Sequence, residues 1–291
     1  MKTGYGNRSI GIIGADGFIG SNLKARLDFL NLTYECFDAK KHRLLDVASL
    51  ESFVRDKKVI FHVAGAPREA GIDEFVSTNV AGTINLLEAM KQFGPKDTKI
   101  IFPSTVHVYA PTKILHKYKE DEKTLSSGIG GLSKKLAEEA IAHYANKFGI
   151  KYVILRLTNT YGSDSKPFKN SVIATLLHCV KNNMDFPVEG GGLGERDYIH
   201  IDDVIDACML SKDHTANDIF NICSGKPINV INLVNQFEKI YGKRVKLNIK
   251  SKGAKDYLIG DPLKAKKKLK WQSAINLREG ITQVVRSKAY V

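Results

Sequence analysis

The 291-residue sequence predicts a doubly wound parallel α/β sheet with a smaller C-terminal lobe, on three observations. Short apolar runs alternate with helical patterns over the first half of the chain. The first of these runs enters a turn with glycines at Gly14, Gly17 and Gly20 and leads straight into a helix. Beyond Tyr161 the texture changes to glycine turns and helices mixed with short strands.

The strand-like runs are Ser9 to Ile13, Thr33 to Asp38, Lys58 to Val63, Lys99 to Phe102 and Tyr152 to Leu157. Each is a short apolar run of the kind expected for strands covered on both faces. Val80 to Met90 repeats apolar residues at spacings of three and four, and Leu132, Leu136, Ala140, Tyr144 and Phe148 form a stripe on a second helix. Alternation of this kind predicts a parallel sheet with right-handed crossovers. Residues 1–163 are read as a dinucleotide-binding domain. Residues 164–291 are read mainly as a substrate-binding lobe that interleaves with the sheet and closes over its C-terminal edge, with a helix over Asn170 to Leu177 and a glycine turn at Glu189 to Arg196.

The first turn, Gly14-Ala15-Asp16-Gly17-Phe18-Ile19-Gly20, suits a backbone that must turn sharply, approach a pyrophosphate closely and open a helix toward an anion. Glycines also sit in ordinary turns, so the context carries the reading. The second run ends in Asp38, 18 residues after Gly20, where a carboxylate accepts from ribose hydroxyls and repels a 2′-phosphate. NAD is therefore expected rather than NADP.

Cys36, Cys179, Cys208 and Cys223 are scattered with no paired spacing, which predicts free thiols and no metal site. The stretch Met1 to Arg8 is followed by no apolar segment of signal or membrane-span length, so a cytoplasmic protein without a membrane partner is expected. Much of the net charge of +13 comes from lysines between Lys243 and Lys270, where aromatics for base stacking are sparse; a nucleic-acid partner is not expected.

Taken together, several stretches resemble the extended short-chain dehydrogenase/reductase family, a Rossmann-type group, and within it the NAD-dependent nucleotide-sugar epimerases and dehydratases. The first glycine turn resembles the family's cofactor loop, Leu45-Asp46-Val47 its adenine-contacting step, and Phe61 to Ala66 the strand beside the pyrophosphate. Thr78 to Ala89 is similar to a family helix, and Pro103-Ser104-Thr105-Val106-His107-Val108-Tyr109 to the strand carrying the catalytic Ser or Thr. Further on, Leu155 to Gly162, Gly194 to Asp203 and Lys268 to Trp271 resemble later family segments. The resemblance implies that Gly14, Gly17, Phe18, Ile19, Gly20, Asp38, Asp46, Val47, Ala64, Asn79 and Lys134 hold NAD. It further implies that Thr105 orients the substrate, that Asn159 and Arg196 grip a nucleotide sugar, and that helices 80–90 and 132–148 pair in a homodimer.

The family's base is a Tyr four residues before the Lys, kept reactive by the ammonium and the oxidised nicotinamide. Here Lys134 is present and the Tyr position holds Gly130; the register with Lys135 yields Gly131. Three readings follow. Another group moves the proton, with His107 first and His116 or Tyr118 behind it; a water beside Lys134 relays it; or the chain binds NAD and a nucleotide sugar without turnover. Against each functional reading stands a plainer one: a structural His107, a solvated Lys134, an Asn159 that caps a turn, an Arg196 paired with Asp197 or Asp203. The segment Asp256 to Asp261 lies where relatives carry an Arg or an aromatic against the nucleobase, and only Asp261 matches.

Overall fold

The computed structural model describes residues 9–162 and 171–287. In order the chain forms β1 (Ile10–Ile13), α1 (Phe18–Phe29), β2 (Glu35–Cys36), α2 (Glu51–Val54), β3 (Val59–His62), α3 (Ile72–Glu74), α4 (Gly82–Phe93), β4 (Lys99–Thr105), α5 (Ile129–Phe148), β5 (Lys151–Leu157) and β6 (Asn159–Tyr161). It continues with α6 (Val172–Lys181), β7 (Phe186–Val188), β8 (Glu195–Arg196), β9 (Tyr198–His200), α7 (Ile201–Asp213), β10 (Asp218–Ile222), β11 (Ile228–Asn229), α8 (Val230–Tyr241), β12 (Leu247–Ile249), β13 (Tyr257–Leu258) and α9 (Leu277–Arg286). The lobe boundary expected at 163, the Asn170 helix start and Met1 to Arg8 lie outside the described residues.

Six strands make one parallel sheet in the order β10-β5-β4-β3-β1-β2. From β1 the chain steps outward to β2 and then returns across β1 to β3, so the winding direction reverses between β1 and β3. Open α/β sheets bind ligands at the carboxyl end of such a reversal.

Alternation of side chains explains why these strands are apolar at nearly every position. Ile10, Ile12, Val59, Phe61, Ile101, Val153 and Leu155 point to one face, under Leu23 and Leu27 of α1 and Val204, Ile205 and Cys208 of α7. Ile13, Ile60, Ile100, Phe102 and Ile154 point to the other, under Phe53 of α2, Leu86 and Leu87 of α4, and Ala137 and Ile141 of α5. A third core joins α6, α8 and α9 around Tyr161, Leu176, Phe237 and Ile281.

The observed strands reproduce the expected runs with shifted ends. The second shrinks to Glu35–Cys36, although Phe37 N still donates to Ile12 O at 2.8 Å. The fourth extends to Thr105, which carries the chain to the ligand edge. The helix expected at 80–90 is preceded by a π-helical stretch, Phe75–Ala81, and a wider turn of this kind often marks a functional site. The sixth strand of the sheet, β10, comes from beyond residue 163.

On α5, Gly131, Ser133, Ala137, Glu138, Ile141 and Ala145 are buried, while Leu132 and Leu136 are each 40% exposed and Phe148 is 38% exposed. The expected stripe therefore splits: Ala140 and Tyr144 pack against the core, whereas Leu132, Leu136 and Phe148, like Ile84 of α4, are exposed.

Candidate active site

The first turn is built for close approach. Gly14 has φ +91°, and a Cβ there would lie 2.5 Å from Ala64 N, across the β1–β3 reversal. A Cβ on Gly20 would lie 2.1 Å from Gly14 O, so both positions require glycine. Gly17 begins α1 in extended conformation with no side-chain cap, the arrangement a helix N-terminus presents to an anion. Phe18 and Ile19 are partly buried and pack against the sheet core. These features fit a dinucleotide pyrophosphate.

Asp38 stands just past β2 and accepts from Lys40 N at 2.9 Å, with Lys41 Nζ 3.9 Å from its other oxygen. Asp46 accepts from Ala48 N at 3.1 Å and Ser49 N at 3.4 Å, which caps the short turn after it, and Val47 packs beneath with Ile13. Asn79 is buried in the π-helical stretch. It accepts from Ala66 N at 3.0 Å and donates to Ser133 Oγ at 2.9 Å, and Ser133 donates to Gly130 O at 2.9 Å. Asn79 thus fixes the segment after β3 to the first turn of α5.

Lys134 follows one helical turn later. Its Nζ donates to Pro103 O at 3.1 Å and lies 4.3 Å above the Phe102 ring. Enclosure of the ammonium draws its pKa down to about 8, against the opposing pull of Glu138. Nearby, Thr83 donates its hydroxyl to Asn79 O at 2.7 Å, so its oxygen accepts from His62 Nε2 at 2.9 Å. This fixes the His62 tautomer and leaves Nδ1 a buried acceptor without a partner. Burial, helped by the positive Lys134, holds His62 neutral, with its pKa lowered to about 3.

Thr105 ends β4 in extended conformation and its Oγ1 accepts from His107 N at 3.2 Å. A Cβ on Gly131 would lie 2.2 Å from His107 O and 3.3 Å from its Cβ, so the start of α5 lies directly on this turn. The start of α5 thus sits on the end of β4, with Lys134 reaching Pro103 O two residues before Thr105 and Gly131 resting on His107 O. His107 is exposed at its edge of the site, and partial desolvation together with the charges of Arg196 and Arg68 lowers its pKa. A neutral imidazole results.

Gly130 differs from its neighbour. A Cβ there would meet only Phe75, at 3.4 Å, an ordinary contact, so packing does not demand glycine at this position. The two other candidate proton carriers are engaged elsewhere. His116 pairs with Glu122 at 2.7 Å, and Tyr118 donates to Ala110 O at 2.7 Å while stacking on Tyr109.

On the substrate side, Asn159 donates to Asp197 O at 2.9 Å and so ties β6 to β9. Asp197 is fully buried and accepts from Ser224 and Gly225; Asp203 accepts from Ala274 N and Ile275 N. Neither is the partner of Arg196, whose guanidinium instead forks onto Asp256.

Sequence reasoning missed the buried support behind Thr105 and Lys134. Ser104 Oγ donates to Glu138 at 2.5 Å, Arg156 forks onto Glu138 at 2.7 and 3.2 Å, and Arg156 donates to the Tyr109 hydroxyl at 2.7 Å. This charged chain fastens β4, β5 and α5 together just behind the site. Its one sequence signal was an acid four residues after Lys134, on the same helix face.

Among the described residues no group of His, Cys, Asp or Glu could hold a metal, and no helix is long and apolar enough to cross a membrane.

Residues 10–223 match the NAD dependent epimerase/dehydratase family. UDP-glucuronate 4-epimerase of Thermodesulfobacterium geofontis is 29% identical over 215 residues, which span 72% of this chain and 65% of that protein. A putative UDP-glucose 4-epimerase of Methanocaldococcus jannaschii is 32% identical over 210 residues, 71% of this chain and 68% of that protein. Among solved structures, UDP-glucose 4-epimerase of Thermotoga maritima with UDP-glucose superposes with a TM-score of 0.83 at 26% identity, covering 95% of this chain and 97% of that one. The glycine turn, the strand order and these matches agree: the chain belongs to the NAD dependent epimerase/dehydratase family.

Proposed function

We propose that this protein uses NAD to oxidise or epimerise a nucleotide-linked sugar, with His107 moving the proton that the family's tyrosine would move. The observation that carries this reading is the seating of the start of α5, with Lys134, on the Thr105–His107 turn at the sheet edge reached by the first glycine turn. NAD, when bound, supplies the hydride acceptor and donor. Gly14, Gly17 and Gly20 admit its pyrophosphate, Asp38 accepts from the adenosine ribose, and Lys134 holds the nicotinamide ribose. Thr105 orients the sugar hydroxyl. His107, neutral and within reach of the same turn, takes the proton from that hydroxyl and returns it. Asn159 and Arg196 hold the diphosphate.

Uridine nucleotides are the first substrates to try, because the relatives above are named for UDP-sugars. The outward stripe of Leu132, Leu136 and Phe148 with Ile84 supports pairing of α4 and α5 between two copies.

Gly130 favours a second reading, a protein that binds NAD and nucleotide sugar without turning it over. Incubating purified protein and NAD with UDP-glucose and UDP-glucuronate separates the two. Reduced nicotinamide or a changed sugar supports the enzyme, whereas binding of both ligands with neither product supports the binder.

A further inference from the structure

Arg196 does not present an open fork. Its Nη1 donates to Asp256 Oδ1 at 2.9 Å and its Nη2 to Oδ2 at 3.1 Å, while Nη1 also lies 3.0 Å from Glu195 O. The pairing is built into the backbone. Strands β8 and β13 run parallel, Glu195 N donates to Asp256 O at 2.7 Å, and Lys255 returns an ion pair to Glu195 at 2.8 Å. Gly194 makes room for it, since a Cβ there would lie 2.5 Å from Asp256 Oδ1. Both partners are partly exposed, at 26% and 33%, so an anion from solvent reaches the pair.

We propose that Asp256 is a specificity-determining residue: its carboxylate occupies the fork of Arg196, and a ligand binds there only by displacing it. The proposal rests on the reading of Arg196 as a diphosphate contact. The carboxylate cancels one positive charge and fills the two parallel donors that a phosphate would take. A singly charged anion gains little from the exchange, because it replaces one carboxylate-like partner by another. A diphosphate gains more, since it brings greater charge and further oxygens for neighbouring donors. Asp256 in this way sets a threshold that favours nucleoside diphosphates over weaker anions.

The test is calorimetric titration of the full chain with UDP and, separately, with NAD. Asp256→Asn keeps the side-chain shape and removes the charge; UDP binding should tighten by about fivefold while NAD binding stays unchanged. Arg196→Ala should weaken UDP binding, and adding Asp256→Asn to it should give no gain. Asp256→Ala serves as a second variant, with NAD binding reporting that each protein is folded. Wild-type binding of UDP that is unchanged or weakened in both Asp256 variants overturns the proposal and leaves the diphosphate reading standing. If wild type and every variant bind NAD and ignore UDP, the reading of Arg196 falls and the proposal falls with it.

Discussion

Lys134 carries the most informative charge in the molecule. Its ammonium is held between Phe102 and Pro103 O with a pKa near 8, so it loses its proton as the pH rises through about 8. The folded value lies below the ordinary one, so the charged form is penalised by folding below about 8 and this cost is relieved as pH rises toward the unfolded value. Function runs the other way. If the ammonium holds the nicotinamide ribose, NAD affinity should fall above about pH 8 in the wild type and be flat with pH in Lys134→Met, as titration across that range would show. His62 gives a second pH signature. Neutral in the fold down to about 3, it takes up a proton on unfolding below its ordinary value, so stability falls as the pH drops from about 6.5 toward 3. His62→Asn should flatten that acid dependence in denaturant melts. At Gly130, a Cβ meets Phe75 at an ordinary 3.4 Å, so Gly130→Tyr should fold and raise turnover of a UDP-sugar by about a hundredfold, the low end of what a placed acid–base group contributes.

Among the elements, the start of α5 decides the site. Gly131 permits the helix to rest on His107 O, and a side chain there must push the two apart. Gly131→Val should therefore cost about 1–3 kcal/mol in urea unfolding and depress turnover through loss of the Thr105–Lys134 alignment. Much of this element was legible in the sequence. The family-like segment around Lys134 and the Ser104-Thr105 strand end were visible as strings, because backbone approach and apolar patterning leave marks at fixed spacing. The support behind them was not. Glu138 of α5 and Arg156 of β5 meet between helix and strand from positions 18 residues apart, and Asp256 reaches Arg196 from 60 residues away. Each pair joins two different segments of the chain, so no periodicity within one element announces it and only the folded topology reveals the pairs. The stripe on α5 was legible as helical, but its spacing says nothing about whether it faces the core or outward.

For the whole molecule, the sheet order follows from alternating apolar runs and crossovers, whereas the recruitment of β10 from the second half of the chain does not, because a short run such as Asp218–Ile222 resembles any other strand. Under the proposed pairing of α4 and α5, the exposed Ile84, Leu132 and Leu136 lie between the two copies. Leu132→Glu with Leu136→Glu should convert a dimer to a monomer in analytical ultracentrifugation, with NAD binding retained. The account as a whole depends on His107 doing the work of an absent phenol at a site otherwise arranged for NAD and a nucleotide sugar. The direct measurement is turnover of a UDP-sugar by wild type and by His107→Ala at equal NAD occupancy. Turnover in the wild type that disappears in His107→Ala, with NAD affinity unchanged, is the result expected; equal turnover in the two proteins would contradict it.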